Sequence, residues 1–153
     1  MLRAALEGLA GQPVRVLATT NRRPPPSPIP VPANARLVDW VSYARTMPRC
    51  AAVVCHAGHG TVARALACGV PVVACPAAGD MGENAARIGW AGAGVALPRR
   101  LATARGIRLA VRRVLAEPGF AETAARLRRW AERHDGGELA SEAVEDLARR
   151  GCG

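Results

Sequence analysis

A chain of 153 residues is long enough for one domain with a real core, and half of its residues are apolar, but Ala and Val dominate and only five residues are aromatic. The formal charge is +9 and every one of the 21 basic residues is Arg; spread along the chain without a run of five, these read as codon bias in a GC-rich genome more simply than as a nucleic-acid patch. Signal peptide and 18-residue apolar run are both missing, and five cysteines (Cys50, Cys55, Cys68, Cys75, Cys152) form no C-x-x-C, which points to a soluble, cytoplasmic protein of a reducing compartment with no membrane span.

In chain order, Leu2, Ala5, Leu6 and Leu9 recur at helical spacing, and Gly11 and Pro13 stop that helix before a strand over Val14 to Ala18. Arg22 to Pro32 is proline-rich, suited to a stiff surface connection or to partner recognition. Ala35 to Val38 predicts a short strand leading into Asp39-Trp40-Val41, and Tyr43 to Pro48 a short helix. Beyond the central stretch described next, Glu83 to Trp90 reads as helix and Gly94 to Leu97 as a last strand. From Thr103 onward the pattern is amphipathic helix, broken at Pro118-Gly119 and at Gly136-Gly137, with a final helical run over Leu139 to Leu147.

The stretch from Val53 to Asn84 organises the rest. Ala51 to Val54 is a short apolar run that stops at Cys55-His56, passes Ala57-Gly58-His59-Gly60 and enters a helix expected to begin at Thr61. Such a junction favours an anion, because the first N–H groups of a helix lack internal partners and the dipole adds about half a positive charge there. Gly58 and Gly60 let the backbone approach closely, Thr61 can cap the helix, and His56 sits where a strand ends at a crevice. Gly69 to Ala74 reads as a second buried strand, closed by Pro76 and Gly79 before a helix from about Gly82. Two strand-to-helix loops therefore open on one edge of a parallel sheet.

These residues resemble the donor-binding signature of family 1 glycosyltransferases of the two-Rossmann-domain (GT-B) type. In order and spacing the match takes in Trp40, His56-Ala57-Gly58-His59-Gly60-Thr61, Gly69-Val70-Pro71, Pro76, Asp80, Asn84-Ala85 and Gly92-Ala93-Gly94, nearly the whole chain. The resemblance implies an α/β fold, a Rossmann-like parallel sheet with helices on both faces, as the C-terminal half of a GT-B enzyme. It implies that His56 and the amides of Gly58, His59, Gly60 and Thr61 hold the diphosphate of a nucleotide-sugar. Trp40 and Val41 would lie at the base, with Arg64 on the ribose side, and Asp80, Met81 and Asn84 at the sugar. At two positions the chain departs from the pattern: Arg64 stands where the family has a ribose-binding glutamate and cannot accept hydrogen bonds, and Met81 replaces a Gln, which suggests a less hydroxylated sugar.

The resemblance further implies transfer of a sugar from a UDP- or dTDP-sugar to an acceptor hydroxyl with inversion, without a metal or other cofactor. Residues 1–153 would form one donor domain lacking its leading strand; the acceptor domain, which in this family carries the catalytic base, would have to be an N-terminal domain or a partner chain, and this chain alone would be inactive. Three other readings compete. Gly58-His59-Gly60-Thr61-Val62-Ala63 fits a dinucleotide fingerprint, although Asp80 stands past Pro76 and Gly79 rather than at a strand end. A non-catalytic nucleotide-binding subunit is a second alternative. Metal binding at His56 and His59 lacks a third well-spaced ligand. For His56 itself a hydrogen-bonded strand-end histidine is the plain alternative, and for Trp40 a gap-filling aromatic.

Overall fold

The computed structural model describes residues 1–151, so Cys152 of the cysteine count lies outside the described residues. Its first helix, α1 (Leu2–Leu9), buries Leu6 and Leu9 as the spacing predicts. The first strand, β1, is Val16–Thr19 rather than Val14 to Ala18. The reason is local: the Val14 N–H donates to the Gln12 carbonyl at 2.7 Å, and the Asn34 side-chain amide donates to the carbonyls of Leu9, Gln12 and Val14, which holds Val14 in the turn. Strand β2 (Ala35–Val38) falls where expected and pairs with β1 in parallel.

Helix α2 (Tyr43–Thr46) continues into a 3-10 turn at Met47–Arg49 and leads to β3 (Val53–Cys55). Helix α3 (His59–Ala67) begins two residues before the expected Thr61, with Gly58 in the capping position. The Gly58 carbonyl accepts from the N–H groups of both Thr61 and Val62 at 3.1 Å, so the first turn closes on Gly58 and the Thr61 hydroxyl caps nothing. Strand β4 (Val72–Ala74) is shorter than the apolar run from Gly69. Gly69, at φ +73°, ends α3, the Val70 N–H returns to the Ala65 carbonyl, and Pro71 has no N–H to give a ladder. Helix α4 (Met81–Ala91) closes at Gly92 in the left-handed region and gives way to β5 (Gly94–Ala96). A Cβ on Gly94 would overlap the Val72 carbonyl oxygen, so only glycine lets β5 lie against β4 there.

Helices α5 (Ala104–Ala116), α6 (Pro118–Ala131) and α7 (Gly136–Gly151) follow. Thr103 caps α5, its hydroxyl accepting from the Gly106 N–H at 3.1 Å.

The strands form two parallel sheets, β1–β2 and β3–β4–β5. Helices cover both faces of the second. Val73 points with Leu9, Ile107, Val111 and Val114 into a core under α1 and α5, whereas Val72 and Ala74 point with Met47, Ala65, Ala85 and Ile88 into a core under α3 and α4. The α/β Rossmann-like architecture with helices on both faces is thus present, but its sheet is divided. Among the described residues β1 pairs with β2 alone and β3 with β4 alone, which leaves each of them one free edge. Val16 and Val54, one from each of these edge strands, pack against the same core cluster. Among the described residues no helix is long and apolar enough to cross a membrane.

Candidate functional site

The loops that leave the carboxyl ends of β1 to β4 carry the residues singled out above, and in a parallel α/β sheet that edge is where ligands sit. The Asn34 amide, just before β2, holds the carbonyls of Leu9 at the end of α1 and of Val14 just before β1, so α1 ends at the amino edge and starts at the carboxyl edge.

The β3–α3 loop is built around its backbone. Ala57 is fully buried at φ +65°, a conformation that disfavours any residue with a Cβ. Two contacts hold it: its N–H points to the Cys55 sulfur at 3.4 Å, and its carbonyl accepts from the Asn84 side-chain amide at 3.1 Å. The turn presents Gly58, His59 and Gly60, whose N–H groups have no acceptor among the described residues, whereas the Thr61 N–H is taken by Gly58. Of the five expected diphosphate ligands, Thr61 therefore retains only its hydroxyl. His56 is exposed, and neither ring nitrogen has a hydrogen-bond partner among the described residues, so the plain alternative of a hydrogen-bonded strand-end histidine does not apply. Its ring lies over Gly58; a Cβ there would stand 2.5 Å from Nε2. Three free amides, a helix N-terminus and an imidazole thus lie together at the start of α3, an arrangement suited to a phosphate group.

Asp80 is exposed in the capping position of α4, where its side chain caps no N–H and Oδ2 accepts from the Asn84 amide at 3.3 Å. Asn84 is only 9% exposed. Its amide nitrogen is committed to Ala57 and Asp80, so Asn84 ties two loops together in addition to any contact with a sugar. Met81 is half-buried and packs on the core under α3 and α4, which accounts for an apolar side chain at that position without a ligand. Trp40, 51% exposed, does not fill a gap; its outer face is covered by the Arg22 guanidinium, 5.4 Å from the ring centroid. Val41 is half-buried and Arg64 exposed on α3. Among the described residues no three His, Cys, Asp or Glu side chains are grouped to hold a metal ion. Burial raises the thiol pKa values of half-buried Cys50 and of buried Cys55 and Cys75, the last to about 11; the latter two pack as small hydrophobes.

Sequence reasoning missed Ala57 and Arg22. Nothing in the residue type marks an alanine for the left-handed region, and Arg22 stood at the head of a segment dominated by proline.

Fold and site together define a Rossmann-like domain whose helix α3 opens with free backbone amides at the carboxyl edge of the sheet. Residues 5–145 match the family described as erythromycin biosynthesis protein CIII-like, C-terminal domain, and the chain belongs to this family of C-terminal domains of GT-B, family 1 glycosyltransferases. A curated relative, 4'-demethylrebeccamycin synthase of Lentzea aerocolonigenes, is 44% identical over 128 residues, which is 84% of this chain and 30% of the relative. Among solved structures, spinosyn forosaminyltransferase SpnP superposes with a TM-score of 0.82 at 28% identity, over 96% of this chain and 38% of that one. Spinosyn rhamnosyltransferase SpnG complexed with thymidine diphosphate superposes with a TM-score of 0.79 at 26% identity, over 94% and 40%. The chain thus spans about a third of the length of the proteins it matches. Family membership replaces the dinucleotide reading, whose acidic residue, Asp80, stands at the start of α4 and not at a strand end.

Proposed function

We propose that this chain binds the nucleotide diphosphate-sugar donor of a glycosyltransferase and, with an acceptor domain supplied in the same polypeptide or by a partner chain, transfers the sugar to an acceptor hydroxyl with inversion. The observation that carries the reading is the grouping of the free Gly58, His59 and Gly60 amides with the exposed His56 at the start of α3. As the bond to the anomeric carbon breaks, negative charge grows on the leaving diphosphate. Fixed donors aimed at that charge lower the barrier because they need no reorganisation. The acceptor is deprotonated by a base outside these residues, and the chain alone does not turn over.

At the other end of the donor, Trp40 and Val41 take the base and Arg64 lies on the ribose side. Asp80 accepts hydrogen bonds from sugar hydroxyls, its carboxylate oriented by Asn84. Met81 beside it is engaged in the core, so the sugar class rests on the relative solved with thymidine diphosphate, a rhamnosyltransferase, which favours a dTDP-deoxyhexose. No metal enters this proposal, since the amides, the helix terminus and His56 do the neutralising. The free edges of β1 and β3 support the further reading that the domain takes one more strand between them, from polypeptide preceding Met1 or from a partner. The residues that meet donor and acceptor all work in the cytoplasm on this reading.

Calorimetric titration of the chain with dTDP, UDP and inorganic diphosphate tests it. Binding of both nucleotides is expected, with His56→Ala weakening each by about tenfold, the loss of one charge-assisted hydrogen bond. Absence of binding to all three ligands would sink the reading. Sugar transfer by the chain alone would overturn the part that puts the base elsewhere.

A further inference from the structure

Arg22 is an unused cation. Its guanidinium makes no hydrogen bond or ion pair among the described residues, and its one partner is the face of Trp40, 5.4 Å away. Yet the backbone beneath it is built with care. Asn21 and Arg22 are consecutive non-glycine residues at φ +52° and +62°, in the left-handed region that side chains disfavour. The strain is held by the Asp39 carbonyl, which accepts from the Arg22 N–H at 2.8 Å and from the hydroxyls of Thr19 and Thr20 at 3.1 and 3.3 Å, while the Thr19 hydroxyl also accepts from the Asn21 N–H at 3.0 Å. This network locks the end of β1 to the residue before Trp40 and sends one long side chain across an exposed indole at the carboxyl edge.

We infer that Arg22 is a binding residue for the nucleobase of the donor. An indole face and five N–H donors in a rigid plane fit a flat ring bearing carbonyl oxygens, which describes a uracil or thymine base. The geometry also orders the events. A base stacked on Trp40 with centroids about 4.5–7 Å apart takes the space the guanidinium now holds. The guanidinium therefore swings off the ring and donates to the base at its edge, while the pinned Arg22 backbone keeps it within reach. Without a ligand, the same side chain covers the aromatic face.

The inference rests on the donor-site reading, and the test separates the two. Wild type, Arg22→Ala, Arg22→Gly and Arg22→Lys are titrated with dTDP, UDP and inorganic diphosphate. The glycine variant relieves backbone strain at φ +62°, so a loss it shares with alanine is not misfolding. Expected is a weakening of both nucleotides by about tenfold in the Ala and Gly variants, with inorganic diphosphate within twofold of wild type, and no rescue by Lys, whose ammonium lacks the planar fork. Nucleotide affinity that is unchanged or tighter in Arg22→Ala would overturn the inference and make the side chain a mere cover for Trp40. A parallel loss of diphosphate affinity restored by Lys would also overturn it, leaving a general charge effect. Wild type that binds diphosphate but no nucleotide would remove the base site and spare the anion site; wild type that binds neither would remove both.

Discussion

The side-chain amide of Asn84, on α4, donates to the carbonyl of Ala57 in the β3–α3 loop at 3.1 Å, and thereby holds a buried alanine in the left-handed region. The turn that frees the Gly58, His59 and Gly60 amides is held by that bond from a different helix together with the local contact of the Ala57 N–H to the Cys55 sulfur. Asn84→Ala leaves the Ala57 carbonyl buried without a donor and is expected to lower stability by about 1–3 kcal/mol. Asn84→Asp is nearly isosteric but sets a carboxylate against the carbonyl and beside Asp80, so it should cost more than alanine despite filling the space. Urea unfolding of the two variants checks the order; an aspartate variant as stable as wild type would show that the loop holds itself.

Gly58 and Gly60 separate conformational from steric roles. A Cβ on Gly58 meets His56 Nε2 at 2.5 Å, and the far end of an exposed side chain can move away. Gly58→Ala should therefore change stability by less than about 0.5 kcal/mol, the value for a surface substitution, while displacing the imidazole and weakening diphosphate binding about as much as His56→Ala. A Cβ on Gly60 meets nothing within 4 Å, so Gly60→Ala should stabilise α3 by roughly 0.5–1 kcal/mol. If the ligand lies against that amide, the same substitution lowers diphosphate affinity. A stabilised variant with unchanged affinity would move the phosphate away from Gly60.

Much of this was legible in the chain itself. Strands β1 to β5 and the helices, apart from the end of α7, which runs four residues past the expected Leu147, fell within two or three residues of where period and turn residues put them, because apolar runs of Val and Ala bounded by Gly and Pro admit few alternatives. The errors have local causes: Pro71 cannot join a ladder, Asn34 captures the Val14 carbonyl, and Gly58, with no side chain to offer, caps α3 three residues ahead of Thr61. What remained illegible was long-range. The bond from Asn84 to Ala57 spans 27 positions, and nothing in Thr19 to Arg22 signals that three donors will gather on the Asp39 carbonyl.

Cys75 predicts a pH dependence. Burial, reinforced by the neighbouring Cys55, pushes its thiol up to about 11 from an ordinary 9.0, against a smaller pull from the Met1 ammonium. Between these values the unfolded chain releases the proton and the native one keeps it, so the unfolded state binds fewer protons and stability falls with rising pH. The contribution is fully present below pH 9 and is lost as pH climbs to about 11, a drop on the order of 2 kcal/mol. The comparison is with Cys75→Ala, which removes this thiol alone: the stability difference between the two proteins should narrow from pH 8 to pH 11. A constant difference would mean that Cys75 ionises freely in the folded state.

The two free sheet edges make the last prediction. The Val16 and Thr20 N–H groups point to β2, and the Val53 N–H to β4, so alternation along each strand turns the Leu17 and Val54 amides away from their partners. Both edge strands lean on the same core, through Val16 and Val54, and Leu17 is half exposed on an edge open to pairing with other chains. One parallel strand inserted between them would satisfy both edges and join two short sheets into one of six strands. Since α1 starts at the carboxyl edge and β1 follows it, a strand leading directly into α1 would make the right-handed crossover that such units favour. The chain extended before Met1 by a segment long enough for a strand and a turn should therefore unfold at higher urea and aggregate less than the 153-residue chain. In the extended protein the Leu17 and Val54 amides should gain protection from hydrogen exchange. Equal exchange at those two amides in both proteins would mean that the edges stay open and that the added polypeptide docks elsewhere.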